Sequence, residues 1–282
     1  MKHVLRDAWR ALICGLAAIV LPAGVAAADL PPDIARLAAA GELRIAMTTD
    51  DWPPFFYKHP GRGIAGLDVD LATEIAQRLG VKVRFVRQAQ TFDDIVTMVV
   101  ERRADIAVSY LSDTLERAEK VNFTRFYAQL KPALLINRSL AGQSRRGREL
   151  VPLLNHPEAK IGVTKGSSAE TFAAADYPAA KIVTYDTWAE ITKALHDEQL
   201  LAGLSDQIDA QNWQAANPEG AIEIETVIMS NKPDTIAIAV HRDDRHLLYW
   251  LNHFLRRKDR DGTLARLTKG YIENDAWKQE LR

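Results

Sequence analysis

Strand-like and helix-like segments alternate along this sequence, and this feature restricts the fold more than any other. Val81, Val83 and Phe85 stand at every second position, which is the period of a β-strand. Just before them, residues 68–79 place apolar side chains on one helical face, and Gly80 ends the predicted helix. Strands that alternate with helices are typical of α/β folds, in which helices cover a largely parallel sheet.

The alternating pattern occurs twice. A first β-α-β-α-β block ends near Val108, and the pattern begins again after Ile136. The elements predicted after this second beginning are residues 161–163, 168–175, 181–185, 188–195, 201–204, 235–240, 246–257 and 263–272. The sequence therefore predicts two α/β units of similar plan, and ligands of such sheets bind outside the carboxyl ends of the strands.

Residues 1–28 have the layout of a secretory signal peptide. Basic residues precede an apolar run from Ala11 to Val25, and three alanines follow it. The run of roughly 15 residues is shorter than the roughly 20 that span a membrane, and the alanines suit cleavage before Asp29. We therefore expect export to the periplasm. The single cysteine, Cys14, lies in this segment, so the exported chain is expected to have no disulfide and no thiol chemistry.

The composition argues against several classes of function. Lys and Arg number 36 against 37 for Asp and Glu, so no overall charge attracts nucleic acid. The seven histidines are scattered without ligand-like spacing, and we expect neither a metal nor another cofactor. Residues 61–66 match G-x-G-x-x-G, but no buried strand precedes them, and no ribose-binding acid follows the next strand. We interpret them as a turn.

A series of short motifs carries a family resemblance through its order and spacing. The motifs are Gly41-Glu-Leu-Arg-Ile, Pro54-Phe55, Gly66-Leu-Asp-Val-Asp-Leu-Ala, Ala104-Asp105-Ile-Ala, Ser112-Asp-Thr-Leu-Glu-Arg117, Gly162-Val-Thr-Lys-Gly-Ser-Ser168, Ala202-Gly-Leu-Ser-Asp206 and Asp261-Gly-Thr263. Together they resemble the periplasmic amino-acid-binding proteins that serve ABC importers, solute-binding protein family 3. The resemblance covers Gly41 to Trp277.

The resemblance implies a fold and a function. It implies the type II periplasmic-binding-protein fold, with two Rossmann-like lobes joined by a two-crossover hinge that closes around a ligand. We expect a first lobe of residues 29–137 plus 233–282 and a second lobe of residues 138–232. The implied ligand is a small amino acid or related carboxylate. The implied partner is the membrane permease of an ABC importer, and no nucleic acid is expected.

The resemblance also assigns residues to the polar end of the ligand. Arg117 matches the arginine that clamps the ligand's α-carboxylate, a task that suits the planar donors of a guanidinium. Ser167 and Ser168 precede a predicted helix, whose N-terminus could receive the same carboxylate. Asp206 would accept a hydrogen bond from the ligand's ammonium group.

Other positions would contact the rest of the ligand. Trp52 and Phe92 match residues that enclose the ligand's side chain, and Tyr110 and Ser112 match residues that help to hold the ammonium group. At Thr49, relatives selective for basic amino acids carry an acid. Because this sequence has no acid at that position, the resemblance argues against a basic ligand.

The sequence leaves two alternatives open. The family also resembles cyclohexadienyl dehydratase, which converts prephenate or arogenate into an aromatic product. Glu170 stands at the position of that enzyme's general acid, so it would be catalytic if the chain were this carbon-oxygen lyase. Glutamate in the first turn of a helix is also common for electrostatic reasons alone. The other alternative is a sensory binding domain that signals through a separate membrane protein.

Overall fold

The computed structural model describes residues 30–145 and 150–273, and the predicted signal peptide, residues 1–28, lies outside the described residues. The strands in this part of the chain are β1 (Glu42–Thr48), β2 (Tyr57–His59), β3 (Gly63–Ala65), β4 (Lys82–Ala89), β5 (Ile106–Ala107), β6 (Asn122–Phe123), β7 (Ala128–Leu130), β8 (Pro132–Asn137), β9 (Lys160–Thr164), β10 (Lys181–Tyr185), β11 (Ala202–Asp206), β12 (Ile224–Ile228), β13 (Asp234–Ile236) and β14 (Ala239–Val240).

The helices surround these strands. They are α1 (Pro32–Ala40), α2 (Leu67–Leu79), α3 (Phe92–Val100), α4 (Leu115–Ala118), α5 (Arg138–Arg145), α6 (Leu150–Leu154), α7 (Ser168–Asp176), α8 (Trp188–His196), α9 (Gln207–Ala216), α10 (Arg245–Arg260) and α11 (Thr263–Ile272). A 3-10 helix, Pro218–Ile222, precedes β12.

Two five-stranded sheets organise the fold. The first has the order β4-β1-β5-β14-β6, in which β1 runs parallel to β4 and β5 while β14 is antiparallel to its neighbours. The second has the order β10-β9-β11-β8-β12, in which β9 runs parallel to β10 and β11 while β8 is antiparallel to its neighbours. The prediction of two α/β units of similar plan is confirmed.

The chain passes from one sheet to the other twice, and the two connecting segments pair with each other. β7 leads into the second sheet, and β13 leads back to the first. The two strands are antiparallel, with Thr235 opposite Gln129. This arrangement is the two-crossover connection that the family resemblance implies.

The predicted strand 235–240 is in fact two strands with different partners. β13 pairs with β7 in the crossover, whereas β14 pairs with β5 and β6 in the first sheet. Between them, the N–H of Ala237 donates to the carbonyl of Leu111 at 3.1 Å. Because residues 236–240 are all buried, their continuous apolar run gives no sign of the change of partner.

Residues 132–137, which we expected at the end of the first lobe, form β8 in the second sheet. Pro132 pairs with Asp206 of β11, and Asn137 pairs with Ile224 of β12. All six residues of β8 are buried between these two neighbouring strands. Strand pairing therefore associates the segment with the second sheet rather than with the first.

Each sheet has apolar cores on both faces. In the first unit, α2 and α10 cover one face and α3 covers the other. In the second unit, α7 packs on one face and α8 and α9 on the other. The longest described helix, α10, has 16 residues. None of the helices within residues 30–145 and 150–273 is long and apolar enough to cross a membrane.

Candidate ligand-binding site

A cleft lies between the two sheets, where their parallel strands end. The cavity inside it has a volume of about 40 Å³, so the cleft is narrow in this structure. All eight residues predicted for the site line it: Trp52, Phe92, Tyr110, Ser112, Arg117, Ser167, Ser168 and Asp206. Seven residues that were not predicted also line it: Pro132, Thr164, Ala169, Phe172, Ser205, Asp209 and Asp234.

Arg117 is a buried cation that lines this cleft, 5% exposed, on the short helix α4. Its Nε donates to Asp93 at 3.0 Å, its Nη1 to the carbonyl oxygen of Ser112 at 3.1 Å, and its Nη2 to that of Gly166 at 3.0 Å. A guanidinium has five N–H donors, and these contacts use three of them. One N–H on each terminal nitrogen is left for a further acceptor, which is the number that a bidentate carboxylate requires.

The N-terminus of α7 faces the cleft from the second sheet. Ser167 is the N-cap residue, but its hydroxyl donates to the carbonyl oxygen of Thr164 at 2.6 Å and does not cap the helix. Backbone N–H groups in the first turn of a helix have no partner within the helix, so they can bind an anion. Arg117 and this helix end therefore offer donors to the same region of the cleft.

Asp206 places a carboxylate at the end of β11, where it also caps α9. Its Oδ1 accepts hydrogen bonds from the N–H groups of Ile208 at 2.6 Å and Asp209 at 3.3 Å. Asp206 is 6% exposed. Burial, and then the neighbouring charge of Asp209, raise the pKa of Asp206 well above its usual range, although the two backbone hydrogen bonds oppose the shift. A cation in the cleft would stabilise the ionised carboxylate.

Aromatic side chains from the first unit form one wall of the cleft. The ring centroids of Trp52 and Phe92 are 5.0 Å apart, and that of Tyr110 lies 5.9 Å from Trp52 and 5.6 Å from Phe92. Phe55 stacks behind Tyr110 at 4.2 Å. Such a wall can contact an apolar chain or the face of a cation.

A buried carboxylate supports this aromatic wall from behind. Tyr110 has a positive φ of 52°, and its backbone N–H donates to Asp68 Oδ2 at 2.6 Å. The Tyr127 hydroxyl donates to the other oxygen of Asp68 at 2.7 Å. Asp68 is fully buried, and burial raises the pKa of its carboxyl well above the usual range. The carboxyl group thus fixes the unusual backbone that directs Tyr110 to the cleft.

Asp234 was not predicted, and it joins both sides of the cleft. Its Oδ2 accepts from the hydroxyls of Ser112 at 2.8 Å and Ser168 at 3.3 Å, and these two hydroxyl oxygens are 2.9 Å apart. Burial raises the pKa of Asp234 to about 6, although the serine hydroxyls and the charge of Arg117 oppose the shift. The residue directly precedes the apolar run 235–240, and that position is the one sequence signal that could have drawn attention to it.

Asp209 was also missed, although its spacing offered a signal. It lies three residues after Asp206 in the first turn of α9, so both side chains are on neighbouring positions of one helix face. Its carboxylate accepts from the Ser205 hydroxyl at 2.5 Å. Burial raises the pKa of Asp209 to about 6.

Glu170, the general acid of the enzyme alternative, is not among the residues that line the cleft. Its Oε2 accepts a hydrogen bond from the N–H of Gly166 at 3.0 Å. Gly166 in turn contributes the carbonyl oxygen that accepts from Arg117. In this structure Glu170 therefore supports the loop that contacts Arg117.

The cleft has charged groups but no arrangement typical of a metal site. Across residues 30–145 and 150–273, no group of three or more His, Cys, Asp or Glu side chains is placed to hold a metal ion. Asp206, Asp209 and Asp234 therefore line the cleft without forming such a group. Their charges are available to a charged organic ligand.

Comparison with known proteins gives a family match for most of the chain. Residues 43–274 match the family described as bacterial extracellular solute-binding proteins, family 3. The chain is 29% identical over 209 residues to an L-arginine-binding protein of Pseudomonas aeruginosa. This match covers 72% of this chain and 71% of that relative.

An enzyme is also among the similar proteins. The chain is 28% identical over 211 residues to a cyclohexadienyl dehydratase of Pseudomonas aeruginosa, a match that covers 75% of this chain and 76% of the enzyme. Among solved structures, a putative binding component of an ABC transporter from Wolinella succinogenes, complexed with lysine, is similar with a TM-score of 0.72. That match has 28% identity and covers 85% of this chain and 99% of the other.

Proposed function

The chain belongs to family 3 of the bacterial extracellular solute-binding proteins, and from this premise we propose that it captures an α-amino acid in the cleft and delivers it to an ABC importer. Most of the similar proteins are named as amino-acid-binding proteins. Export to the periplasm through a cleaved signal peptide, residues 1–28, is part of the proposal. So is a membrane permease as the partner that receives the ligand.

The observation that carries the proposal is that a buried guanidinium and a buried carboxyl group line the same cleft. The guanidinium of Arg117 and the carboxylate of Asp206 are 5% and 6% exposed, and both line the cleft. An amino acid has a carboxylate and an ammonium group on one carbon. We assign the ligand's carboxylate to Arg117 and the N-terminus of α7, and its ammonium group to Asp206.

The remaining predicted residues have supporting roles in this proposal. Ser112 and the backbone of Tyr110 would complete the ammonium site, and Trp52 and Phe92 would enclose the ligand's side chain. Ser167 and Ser168 would bring the N-terminus of α7 to the carboxylate.

We propose that ligand binding closes two lobes that are connected by the paired crossovers. Contacts between the two sides already exist in the structure. Nη2 of Arg117 donates to Gly166, and the hydroxyl of Ser112 lies 2.9 Å from that of Ser168. We place residues 132–137 with the second lobe and otherwise keep the division at residue 233. A closed cleft excludes water, which strengthens the polar contacts to the ligand.

We propose that the chain binds its ligand without chemical change. The cyclohexadienyl dehydratase alternative assigns the general acid to Glu170, but the carboxylate of Glu170 is bonded to the backbone of Gly166 and does not line the cleft. A general acid must come within hydrogen-bond reach of the group that it protonates.

Calorimetric titration of the exported form with the twenty common amino acids tests the binding function. We expect at least one dissociation constant near or below about 1 μM, equivalent to about −8 kcal/mol. If no amino acid produces heat or a thermal shift, the function proposed here is wrong.

Incubation with prephenate tests the enzyme alternative separately. We expect no formation of phenylpyruvate above the rate without protein. Formation that is lost in Glu170→Gln would establish the dehydratase reading instead, whereas Glu170→Gln should leave amino-acid binding intact because glutamine keeps an acceptor oxygen for Gly166.

A further inference from the structure

We infer that Asp209 and Asp234 make the cleft selective for amino acids with a positively charged side chain. The inference rests on the proposed function, since it names the ligand class of the same site. It assigns to these two residues a role that the sequence motifs did not indicate.

Carboxyl groups outnumber cations in the lining of the cleft. Asp206, Asp209 and Asp234 contribute three carboxyl groups to the lining, and Arg117 contributes one guanidinium. A neutral amino acid would pair its carboxylate with Arg117 and its ammonium group with Asp206. Asp209 would then remain in the closed cleft without a cation, and Asp234 would share Arg117 with the ligand's carboxylate. A buried charge without a full counter-charge is unfavourable.

Asp209 and Asp234 accept their side-chain hydrogen bonds from hydroxyl groups. Asp209 accepts from the Ser205 hydroxyl, and Asp234 accepts from the hydroxyls of Ser112 and Ser168. Hydroxyl donors do not neutralise charge. Burial accordingly raises the pKa of both carboxyl groups to about 6, so at neutral pH the two groups are mainly ionised while lacking a full counter-charge.

The two carboxyl groups and the aromatic wall belong to different parts of the fold but line the same cleft. Asp209 projects from α9 in the second unit, and Asp234 belongs to the crossover strand β13. Trp52 and Phe92 lie on the first unit. A guanidinium or ammonium group in the cleft would meet a lining that includes both aromatic faces and carboxylates, and both attract a cation.

Titration with matched ligands tests the inference on the unmodified protein. Arginine and lysine carry the extra charge, glutamine has a neutral side chain of similar length, and glutamate adds a negative charge. We expect arginine or lysine to bind at least about tenfold more tightly than glutamine, a difference of about 1.4 kcal/mol, and glutamate to bind most weakly. If glutamine binds as tightly as both cationic ligands, the inference fails while the proposed function stands. If no amino acid binds, the proposed function itself fails.

Single substitutions then test the two residues. Asp209→Asn and Asp234→Asn should each lower the ratio of arginine to glutamine affinity by about tenfold, since each removes one negative charge near the ligand. Asp197→Asn is a matched control, because Asp197 pairs with Lys193 on the exposed face of α8. The control should leave the ratio unchanged. An unchanged ratio in both cleft variants, or an equal change in the control, would overturn the assignment, and circular dichroism of each variant establishes that it is folded.

Discussion

Arg117 contacts Gly166 across the cleft, with 3.0 Å between the guanidinium Nη2 and the glycine carbonyl oxygen. The same glycine lies against Thr91 of the first unit. A β-carbon added to Gly166 would lie 2.8 Å from Cβ of Thr91, and the φ of Gly166 is +66°. Gly166 of the second unit therefore contacts both Arg117, the proposed carboxylate clamp, and Thr91 at the start of α3.

Replacing Arg117 should abolish high-affinity binding. Hydrogen bonds to charged groups contribute about 1.5–3 kcal/mol each, so loss of two contacts in Arg117→Ala predicts a decrease of roughly 100-fold or more. Arg117→Lys should also bind weakly because an ammonium group cannot reproduce the planar fork. Arg125→Ala is the matched control, since Arg125 pairs with Asp259 on the surface. Titration of the three variants measures the effect, and unaltered affinity in a folded Arg117→Ala would contradict the clamp.

Adding a methyl group at Gly166 should hinder closure. Gly166→Ala places its side chain against Thr91, so we expect affinity to fall by about tenfold or more, while unliganded thermal stability changes less. Gly41→Ala is an informative control, because Gly41 has a similar φ of +67° but no atom within 4 Å of the added carbon. Gly41→Ala should lose thermal stability through backbone strain but keep its affinity for the ligand. Equal affinity losses in both variants would argue against the closure explanation.

Two substitutions at Asp206 should separate its roles in folding and binding. Asparagine is a good N-cap residue, so Asp206→Asn should keep α9 stable while weakening ligand binding by removing the negative charge. Asp206→Ala loses the cap as well and should be less stable than the asparagine variant by about 1 kcal/mol. Urea denaturation and calorimetry measure the two quantities. Full affinity in Asp206→Asn would show that the ligand's ammonium group binds elsewhere.

The unliganded protein should lose stability as the pH rises from about 4 to about 6, in part because of Asp234. Its folded-state pKa is about 6 and the ordinary value is 3.8, so in this window the folded protein holds a proton that the unfolded chain releases. Unfolding then releases protons, and a rise in pH favours unfolding. The contribution is about 3 kcal/mol, complete above about pH 6.

Asp234→Asn should remove this contribution. The charged groups near the carboxylate in the folded state are Arg117, Asp113 and Asp206, with hydroxyl contacts from Ser112 and Ser168. Denaturation curves of wild type and variant between pH 4 and pH 8 measure the difference. If the difference in unfolding free energy between wild type and variant is constant across this range, Asp234 does not titrate as described.

Removing the carboxyl group of Asp68 should disturb the aromatic wall. In Asp68→Ala the N–H of Tyr110 and the hydroxyl of Tyr127 lose their acceptors in a buried position, which predicts a loss of at least about 2 kcal/mol. Asp68→Asn should retain most of the stability, because its oxygen can accept from Tyr110 and its amide can donate to Tyr127. Tryptophan fluorescence should report a change around Trp52 in the alanine variant. Similar stability in both variants would contradict the proposed support.

Local sequence patterns predicted much of the fold because helix ends and strand periods depend on neighbouring residues. Gly80 ends α2 in the left-handed conformation, and Thr91 caps α3 by bonding the N–H of Asp94. The strand 181–185 and the helix 263–272 have the predicted bounds. The eight predicted site residues lie along the cleft because they follow strand ends or begin helices, and such positions converge on one edge of a sheet. Their roles toward a ligand stay predictions.

The expectation that rested on Thr49 and the inference from Asp209 and Asp234 point to different ligand classes. Thr49 carries no acid, and by itself this position argues against a basic ligand. Asp209 and Asp234 bring carboxylates to the cleft from α9 and from the second crossover. A comparison confined to one matching position does not include charges that come from elsewhere in the chain.

The sequence alone determined the alternation of strands and helices, the two units and the set of residues around Arg117. Tertiary structure alone decided the division of residues 235–240 between two sheets, the contact of Gly166 with Thr91, and the place of Asp234 in the cleft. Asp234 and Ser112 are 122 positions apart in sequence and 2.8 Å apart in space. Periodicity and capping act over a few residues, whereas contacts between distant segments depend on how the two sheets and their crossovers pack.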